Sequence, residues 1–390
     1  MSVKQSVADN LKNITGWRTP RKLVAFAVDD YCNVRVASRA ALNNLKGAGL
    51  ELSGRFDGLD TMETRQDLEA LFETLGSVRD AQGHAAVFTA YALSANPDFE
   101  RIRACGASYQ YEPVTITFQR LAAEQPAAYE GAWKLWQEGM EKGLIRPQFH
   151  GREHFNIRLF EEKLQRKTSD LLANLANRSL AGLTREPSFP DIGFSQAFAV
   201  HDDSCLGRQI EVLKDGMQLF EQCFGIKSIT FTPPAQTLSP RLYPVCEKLG
   251  IRLIHKPRLV RRKAASSEYV YELSWTGRKS PVGHVSLVRN VVFEPGLEDA
   301  RASEERVLQQ IAAAFRWQKP AVISSHRVNF CGLIDEKNRS LSLQKLRRVL
   351  ERIVSRWPDV EFVAVDDLAA LMNPISQSEL RTAANSACQA

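Results

Sequence analysis

The sequence predicts an α/β protein in which a parallel sheet is covered by helices, either as an open sheet or closed into a barrel. Three observations point there. Short apolar runs alternate with helical stretches along most of the chain, in the order strand, loop, helix. Several of these runs, such as the one ending in Val28, are near-continuous rather than alternating, as strands buried on both faces are. Several also stop at a carboxylate or an imidazole, where α/β folds collect their reactive groups.

Lys22-Leu-Val-Ala-Phe-Ala-Val28 reads as a buried strand that stops at Asp29-Asp30. Val34 to Leu50 reads as a helix closed by Gly47 and Gly49, and Thr64 to Ser77 as a second, with Leu68, Leu71, Phe72 and Leu75 at helical spacing. Ala85 to Tyr91 is a strand, and Asn96-Pro-Asp98 a turn. Pro126 to Lys142 is helical, with Trp133 and Trp136 on one side at core spacing. Leu144 to Phe149 is a strand running into His150, and Phe155 to Leu183 a long helix. Phe194 to Val200 is expected as a strand, Leu206 to Phe224 as a helix ended by Gly225, and Lys227 to Thr232 as a strand meeting Pro233-Pro234. Tyr243 to Gly250 is a helix, Ile251 to His255 a strand, and His284 to Phe293 a strand. Ala302 to Trp317 is helical, and Ala321 to Ser325 is a strand ending at His326. Leu343 to Trp357 is helical, and Val360 to Val365 is the last strand.

A chain of 390 residues, 44% hydrophobic and 25% charged, can bury a sizeable core in one large domain. Its 51 basic and 45 acidic residues leave a net charge of only +6, with no recognisable nucleic-acid module, so nucleic acid is not expected as a partner. The dense run Lys256-Pro-Arg258-Leu-Val-Arg261-Arg262-Lys263, followed by Ala-Ala-Ser-Ser, reads first as a solvated loop and second as a site for an anionic substrate. No stretch reaches ~18 apolar residues, so no membrane span is expected. The N-terminus lacks an apolar leader segment, and the seven cysteines form no CxxC pair. Both suit a cytoplasmic protein with free thiols. Nothing in the sequence specifies an oligomeric state.

Chemistry concentrates at three places. Asp29-Asp30 ends the first strand, His150-Gly-Arg-Glu-His154 follows another, and His326 ends a late one. A carboxylate pair alone is commonly a turn or cap. Two imidazoles at i and i+4 can reach one metal. Adding a carboxylate gives three protein ligands with a position left for water, the catalytic zinc pattern, which overlaps the facial triad used by iron. His201-Asp202-Asp203 is a second cluster, but its Asp residues are explained as caps of the following helix. His84, His255 and His284 have no partner pattern and are read as structural.

These motifs resemble the polysaccharide deacetylase (NodB-homology, carbohydrate esterase 4-like) family as a divergent branch. Ala25-Phe-Ala-Val-Asp29-Asp30 resembles its first motif, His150-Gly-Arg-Glu-His154 its His-xxx-His motif, Phe231-Thr-Pro-Pro-Ala its third, and Ser325-His326 its last, in the family's order from about Leu23 to about Leu371. The resemblance implies a distorted (β/α)7-type barrel: a single domain over residues 21–374 with loop insertions, preceded by an arm, 1–20, and followed by a flexible tail, 375–390. It implies Asp29 as general base, Asp30, His150 and His154 as ligands of one divalent metal (zinc first; cobalt, nickel, manganese or iron as alternatives), and His326 as general acid. Two motifs depart from the family. Thr232-Pro233-Pro234 stands where the third usually carries Arg. The fourth, normally an Asp that orients the base, is unmatched, although Arg289-Asn290 and Phe293-Glu294-Pro295 lie in about the right place.

The activity implied is removal of an acyl group from an N- or O-acetylated sugar or polysaccharide precursor, with an acylated carbohydrate as partner. A backbone N–H near Pro234-Ala235 is the candidate oxyanion donor. Arg152, Glu153, Arg327 and Asn329 are candidates for substrate or supporting contacts. Alternatives are hydrolysis of a small non-sugar C–N bond at the same site and a non-catalytic glycan-binding barrel. The H-x-x-E-H reading, a protease with Glu153 as base, is disfavoured because Pro147 and Gly151 interrupt a helix through His150.

Overall fold

The first strand, β1 (Lys22–Tyr31), is buried along nearly its whole length, as its apolar run requires. The computed structural model describes residues 3–106, 108–200, 202–263 and 269–374. The expected tail, His201 and the Ala-Ala-Ser-Ser stretch that follows the basic run lie outside the described residues. Eight more strands join β1: β2 (Phe88–Leu93), β3 (Ile145–Gly151), β4 (Thr230–Phe231), β5 (Leu253–His255), β6 (Val285–Leu287), β7 (Val291–Val292), β8 (Ala321–His326) and β9 (Val360–Phe362). Their order is β6-β5-β4-β3-β2-β1-β8-β7, with β9 also against β1, and every pairing is parallel.

β6 and β7 are successive parts of one extended stretch. Its first part pairs with β5 and its second with β8, which brings the sheet round on itself. Of the nine strands, counting β6 and β7 as one stave and setting aside the short β9 leaves seven, a distorted (β/α) barrel. Alternation along β1 sorts the core. Val24, Phe26 and Val28 join the large cluster under the outer helices. Leu23, Ala25 and Ala27 face a smaller cluster with Tyr91, Leu253, Val285, Leu287 and Val322 in the barrel interior.

The helices follow their sequence signals where caps are clear. Thr64 and Asp67 form a reciprocal capping box on the helix Arg65–Leu75, and left-handed Gly225 ends the helix Asp203–Phe224. Elsewhere the pattern runs over breaks. The helix expected from Val34 starts only at Arg39, behind Ser38 as its cap. The segment Pro126–Lys142 divides at Gly131, and Phe155–Leu183 divides at Lys167, which is left-handed. Phe194 to Val200 is not a strand. It has one isolated bridge, Phe198 to Leu238, and its aromatic rings pack on Phe155 and Phe231 instead of entering the ladder. Phe99–Cys105 and Val114–Glu124 add helices that the sequence reading left unassigned. Asn96 is no simple turn residue. It is buried in a short strand paired with Tyr111–Pro113 and binds the backbone of Cys32 and Val34. At the N-terminus, the helix Val3–Leu11 lies on Glu304–Arg316, where Arg306 donates to Asp9 at 2.9 Å. The basic run enters an antiparallel hairpin, Leu259–Lys263 with Tyr269–Leu273.

Candidate functional site

Two bulges aim the key side chains into the barrel mouth. The β1–β2 register jumps between Val28 and Tyr31, and the β2–β3 register jumps between Ala92 and Leu93, passing over His150. Such extra residues re-aim side chains at strand ends. Asp29 keeps regular pairing, opposite His326 on β8, and continues the inward positions of Leu23, Ala25 and Ala27. Strict alternation would send Asp30 to the other face. Its φ of +75° turns it back instead, a conformation that costs a non-glycine residue on the order of 1 kcal/mol and is typical of functional sites. Gly151 has a φ of +138°, and a Cβ there would sit 3.1 Å from Glu153 O and 3.2 Å from the Phe198 ring. Glycine therefore lets β3 end and the chain fold back so that His154 lies beside His150.

The Asp30 Oδ1 lies 3.2 Å from His150 Nε2 and 2.9 Å from His154 Nε2, and the three ligand atoms are all within 4.8 Å of one another. His150 and His154 stand on a strand end and in the loop after it, not on one helical face, with ring centroids 5.0 Å apart. His150 Nδ1 lies 2.6 Å from the Thr232 carbonyl, which can only accept. Nδ1 therefore donates to that carbonyl, which fixes the ring with Nε2 facing Asp30. Burial pushes the His154 imidazole down against the pull of Asp30. Burial alone would raise the Asp30 carboxyl, but the two imidazoles hold it well below the ordinary range. One ionised carboxylate and two imidazole nitrogens form a donor set that fits zinc, and equally a facial-triad metal.

The base and acid candidates flank this triad. Asp29 receives both Nη atoms of Arg289 at 2.6 Å each. Arg289 also donates Nε to His255 Nδ1 at 2.8 Å, and His255 Nε2 lies 2.8 Å from the Tyr91 hydroxyl. Burial first, then the Arg289 charge, pushes His255 well below its ordinary value, so it is neutral. His326 Nδ1 is 2.6 Å from Glu294 Oε1, while its Nε2 is 4.0 Å from Asp29 Oδ2. Burial alone would lower this imidazole. The Glu294 hydrogen bond and charge, with Asp30 and Asp29 behind them, outweigh it and raise it to about 9. Glu294 is in turn held by Arg55 and by Asn329 Nδ2 at 2.9 Å.

A cleft of about 430 Å³ opens onto Asp29, Asp30, His150, His154 and His326. Its upper walls are Arg35, Phe56, Ser195, Pro233, Ala235, Gln236 and Pro257. Phe56 meets the His326 ring edge-on at 5.1 Å. Ala235 and Gln236 are both left-handed, with φ of 51° and 50°. The hydrogen bonds of this turn run from Gln236 N to Pro233 O and from Thr237 N to Pro234 O, and neither uses the Ala235 N–H.

The remaining candidates fall away from the cleft. Arg152 is ion-paired to Glu153 at 2.7 Å and Asp215 at 2.7 Å, and Glu153 also accepts from Tyr109. Glu153 is thus occupied, which removes the side chain the protease reading needs as its base. Arg327 is fully buried on Asp60 and Glu63, and Asn329 ties Glu294 to the strand end. Pro234 packs under the turn as a buried residue, leaving Ala235 on the wall. Trp136 is buried with its N–H on Glu63, and Trp133 packs beside it, so both are core. Asp202 caps its helix by accepting from Cys205 N. Arg289, Glu294, Arg55 and His255 were missed as functional residues. For Arg289 the available signal was its inward parity with Val285 and Leu287.

No family model matches the chain, and no curated protein matches it. Solved structures do. A Mycobacterium smegmatis protein named as a polysaccharide deacetylase is 11% identical over 92% of each chain, with a TM-score of 0.43. The allantoinase PuuE is 10% identical over 92% of this chain and 94% of its own, at 0.44. A CE4-family pseudoenzyme of Bacillus anthracis is 9% identical over 90% of this chain and 68% of its own, at 0.37. The likeness is thus to polysaccharide deacetylases, an allantoinase and CE4-family proteins, at low identity.

Proposed function

We propose that this chain is a metal-dependent hydrolase that removes an acyl group, acetyl in the simplest case, from an N- or O-acylated sugar. Residues 21–374 act as the barrel unit and 1–20 as its arm. The observation that carries this is the convergence of Asp30, His150 and His154 beside a cleft that also holds a carboxylate and a charged imidazole. A divalent cation held by these three residues supplies Lewis acidity, bringing the pKa of water toward ~7 and polarising an acyl carbonyl.

The chain's own residues supply the proton transfers. Asp29 takes a proton from the attacking water as it adds to the acyl carbon. Arg289 fixes the orientation of that carboxylate through its two hydrogen bonds. The Ala235 N–H lies in the wall to receive the developing oxyanion. His326, charged and with Nδ1 bound to Glu294, carries its remaining N–H toward the cleft. It gives that proton to the departing amine or alcohol as the bond to the acyl carbon breaks. The products are a carboxylate and a free amine or hydroxyl.

Elemental analysis is the first test. Wild type should carry about one divalent metal per chain, and Asp30→Ala, His150→Ala and His154→Ala should lose it. Acetate release from N-acetylated sugars should vanish with the metal and return on its addition to wild type only. Peptide cleavage retained in Asp30→Asn and lost in Glu153→Gln would replace this reading with the protease.

A further inference from the structure

Beside the cleft lies a second cavity of about 310 Å³, whose wall includes Lys256, Arg278, Lys279, Tyr243 and Ser286. Two chain segments contribute to the walls of both. The turn after β4 gives Pro233, Ala235 and Gln236 to the cleft and Pro240 to the second cavity, and the end of β5 gives Pro257 to one and Lys256 to the other. The charge here is unbalanced. Glu272 takes Arg278 at 2.7 Å. Among the described residues of the wall, three cations against this one carboxylate leave an excess of two positive charges. Lys256 Nζ stands 4.4 Å over the Tyr243 ring, a contact that fixes the ammonium without neutralising it. Below, the His284 ring meets Tyr243 edge-on at 5.8 Å, and its buried Nε2 has no partner among the described residues.

We propose that this cavity is a phosphate subsite, which holds the phosphate of an acylated sugar phosphate while the acyl group lies in the adjoining cleft. The excess of two charges matches a phosphate monoester, at roughly −1.5 to −2, better than a single carboxylate. The link to an acylated sugar rests on the hydrolase reading, whereas the anion site does not. It also gives the basic run singled out in the sequence a definite role at its first residue, Lys256.

The test is calorimetric titration of inorganic phosphate into the full chain, in EDTA so that no cation holds the ligand. Wild type should bind phosphate, more weakly as salt rises, and the Lys256→Gln/Lys279→Gln double variant should bind at least tenfold more weakly at an unchanged melting temperature. Lys279→Gln alone, at an exposed position, guards against misfolding and should weaken binding in the same direction. With metal added, KM for N-acetylglucosamine 6-phosphate should fall below that for N-acetylglucosamine, and the double variant should erase the difference. Equal phosphate affinity in wild type and double variant would overturn the proposal, as would acetate ion binding as tightly as phosphate. Lysine-dependent phosphate binding without acetate release would sink the hydrolase reading and keep the site. Acetate release from both sugars at equal KM, without phosphate binding, would do the reverse.

Discussion

Replacing Glu294 by Gln removes the charge that holds His326 protonated while leaving a side chain of similar size. His326 stands at about 9 against an ordinary 6.5, a preference for the charged ring of about 3 kcal/mol at 1.36 kcal/mol per pH unit. Its side chain keeps 30% exposure, so solvent screening takes a share of that. Burial opposes the charge, so once Glu294 is neutral the imidazole should fall back toward its ordinary value or below. A raised pKa means that the proton-donating form is essentially complete a pH unit or more below 9 and is lost as pH rises through 9. The alkaline limb of kcat/KM for acetate release should therefore sit near or below 9 in wild type, lowered somewhat where a cation neutralises Asp30. In Glu294→Gln it should move down by at least one pH unit. Stability follows the same sign. The contribution from the His326–Glu294 pair is fully present below pH 6.5 and disappears toward pH 9, so urea midpoints of the two proteins should converge across that window. Coincident alkaline limbs, or midpoints that diverge as pH rises, would refute this account of His326.

Arg289→Gln leaves Asp29 buried without its bidentate partner, which should cost about 3–5 kcal/mol in urea unfolding. The Asp29→Asn/Arg289→Gln pair should recover part of the loss, measurable as a coupling energy in a double-mutant cycle. Asp30→Asn keeps the shape and a residue tolerant of positive φ but halves the oxygen donors, and metal content should drop well below one per chain by elemental analysis. Gly139→Ala would place a Cβ 2.3 Å from the Phe72 ring. It should therefore cost about 1–3 kcal/mol and lower the melting temperature, while metal content stays at wild-type level.

Much of the barrel was legible because its strands are buried on both faces and read as unbroken apolar runs, as in Leu23 to Val28. Phe194 to Val200 has the same composition and misleads, since apolar content records burial and not hydrogen-bond pairing. The helix breaks at Gly131 and Lys167 were hidden for a related reason: a left-handed residue resets the helical phase, and Lys carries no signal for that conformation. The Asp30, His150 and His154 cluster was legible as a carboxylate at one strand end and two imidazoles at and just after another. Their supports were not. Arg289 and Glu294 are ordinary charged residues in a stretch whose alternation says which residues share a face but not which face is inside. Arg152, Glu153, Arg327 and Asn329 stood next to motif residues in sequence, and sequence adjacency does not place a side chain on the same side of a strand end.

The position of Arg289 and Glu294 on one stretch has a consequence for how the site is assembled. Val285–Val292 closes the barrel by pairing with β5 and then with β8. At the handover Asn290 joins the stretch to β8, its backbone N–H donating to Val322 O at 3.2 Å while its side chain donates to Pro320 O at 2.9 Å and accepts from Val322 N at 2.8 Å. Arg289 leaves this handover for Asp29, and Glu294 leaves the stretch's far end for His326, so the closing stave positions both the proposed base and the proposed acid. The candidate metal ligands come from β1, which also carries Asp29, and from β3 with its following loop. The supports of the candidate base and acid therefore lie on a different strand from the candidate metal ligands, and variants of the two sets should differ in metal content. Glu294→Gln should retain its metal while its pH profile moves, and Asp30→Asn should lose the metal while His326 keeps its contact with Glu294. A single variant of β6 or β7 that abolished metal binding in a folded protein would contradict this division.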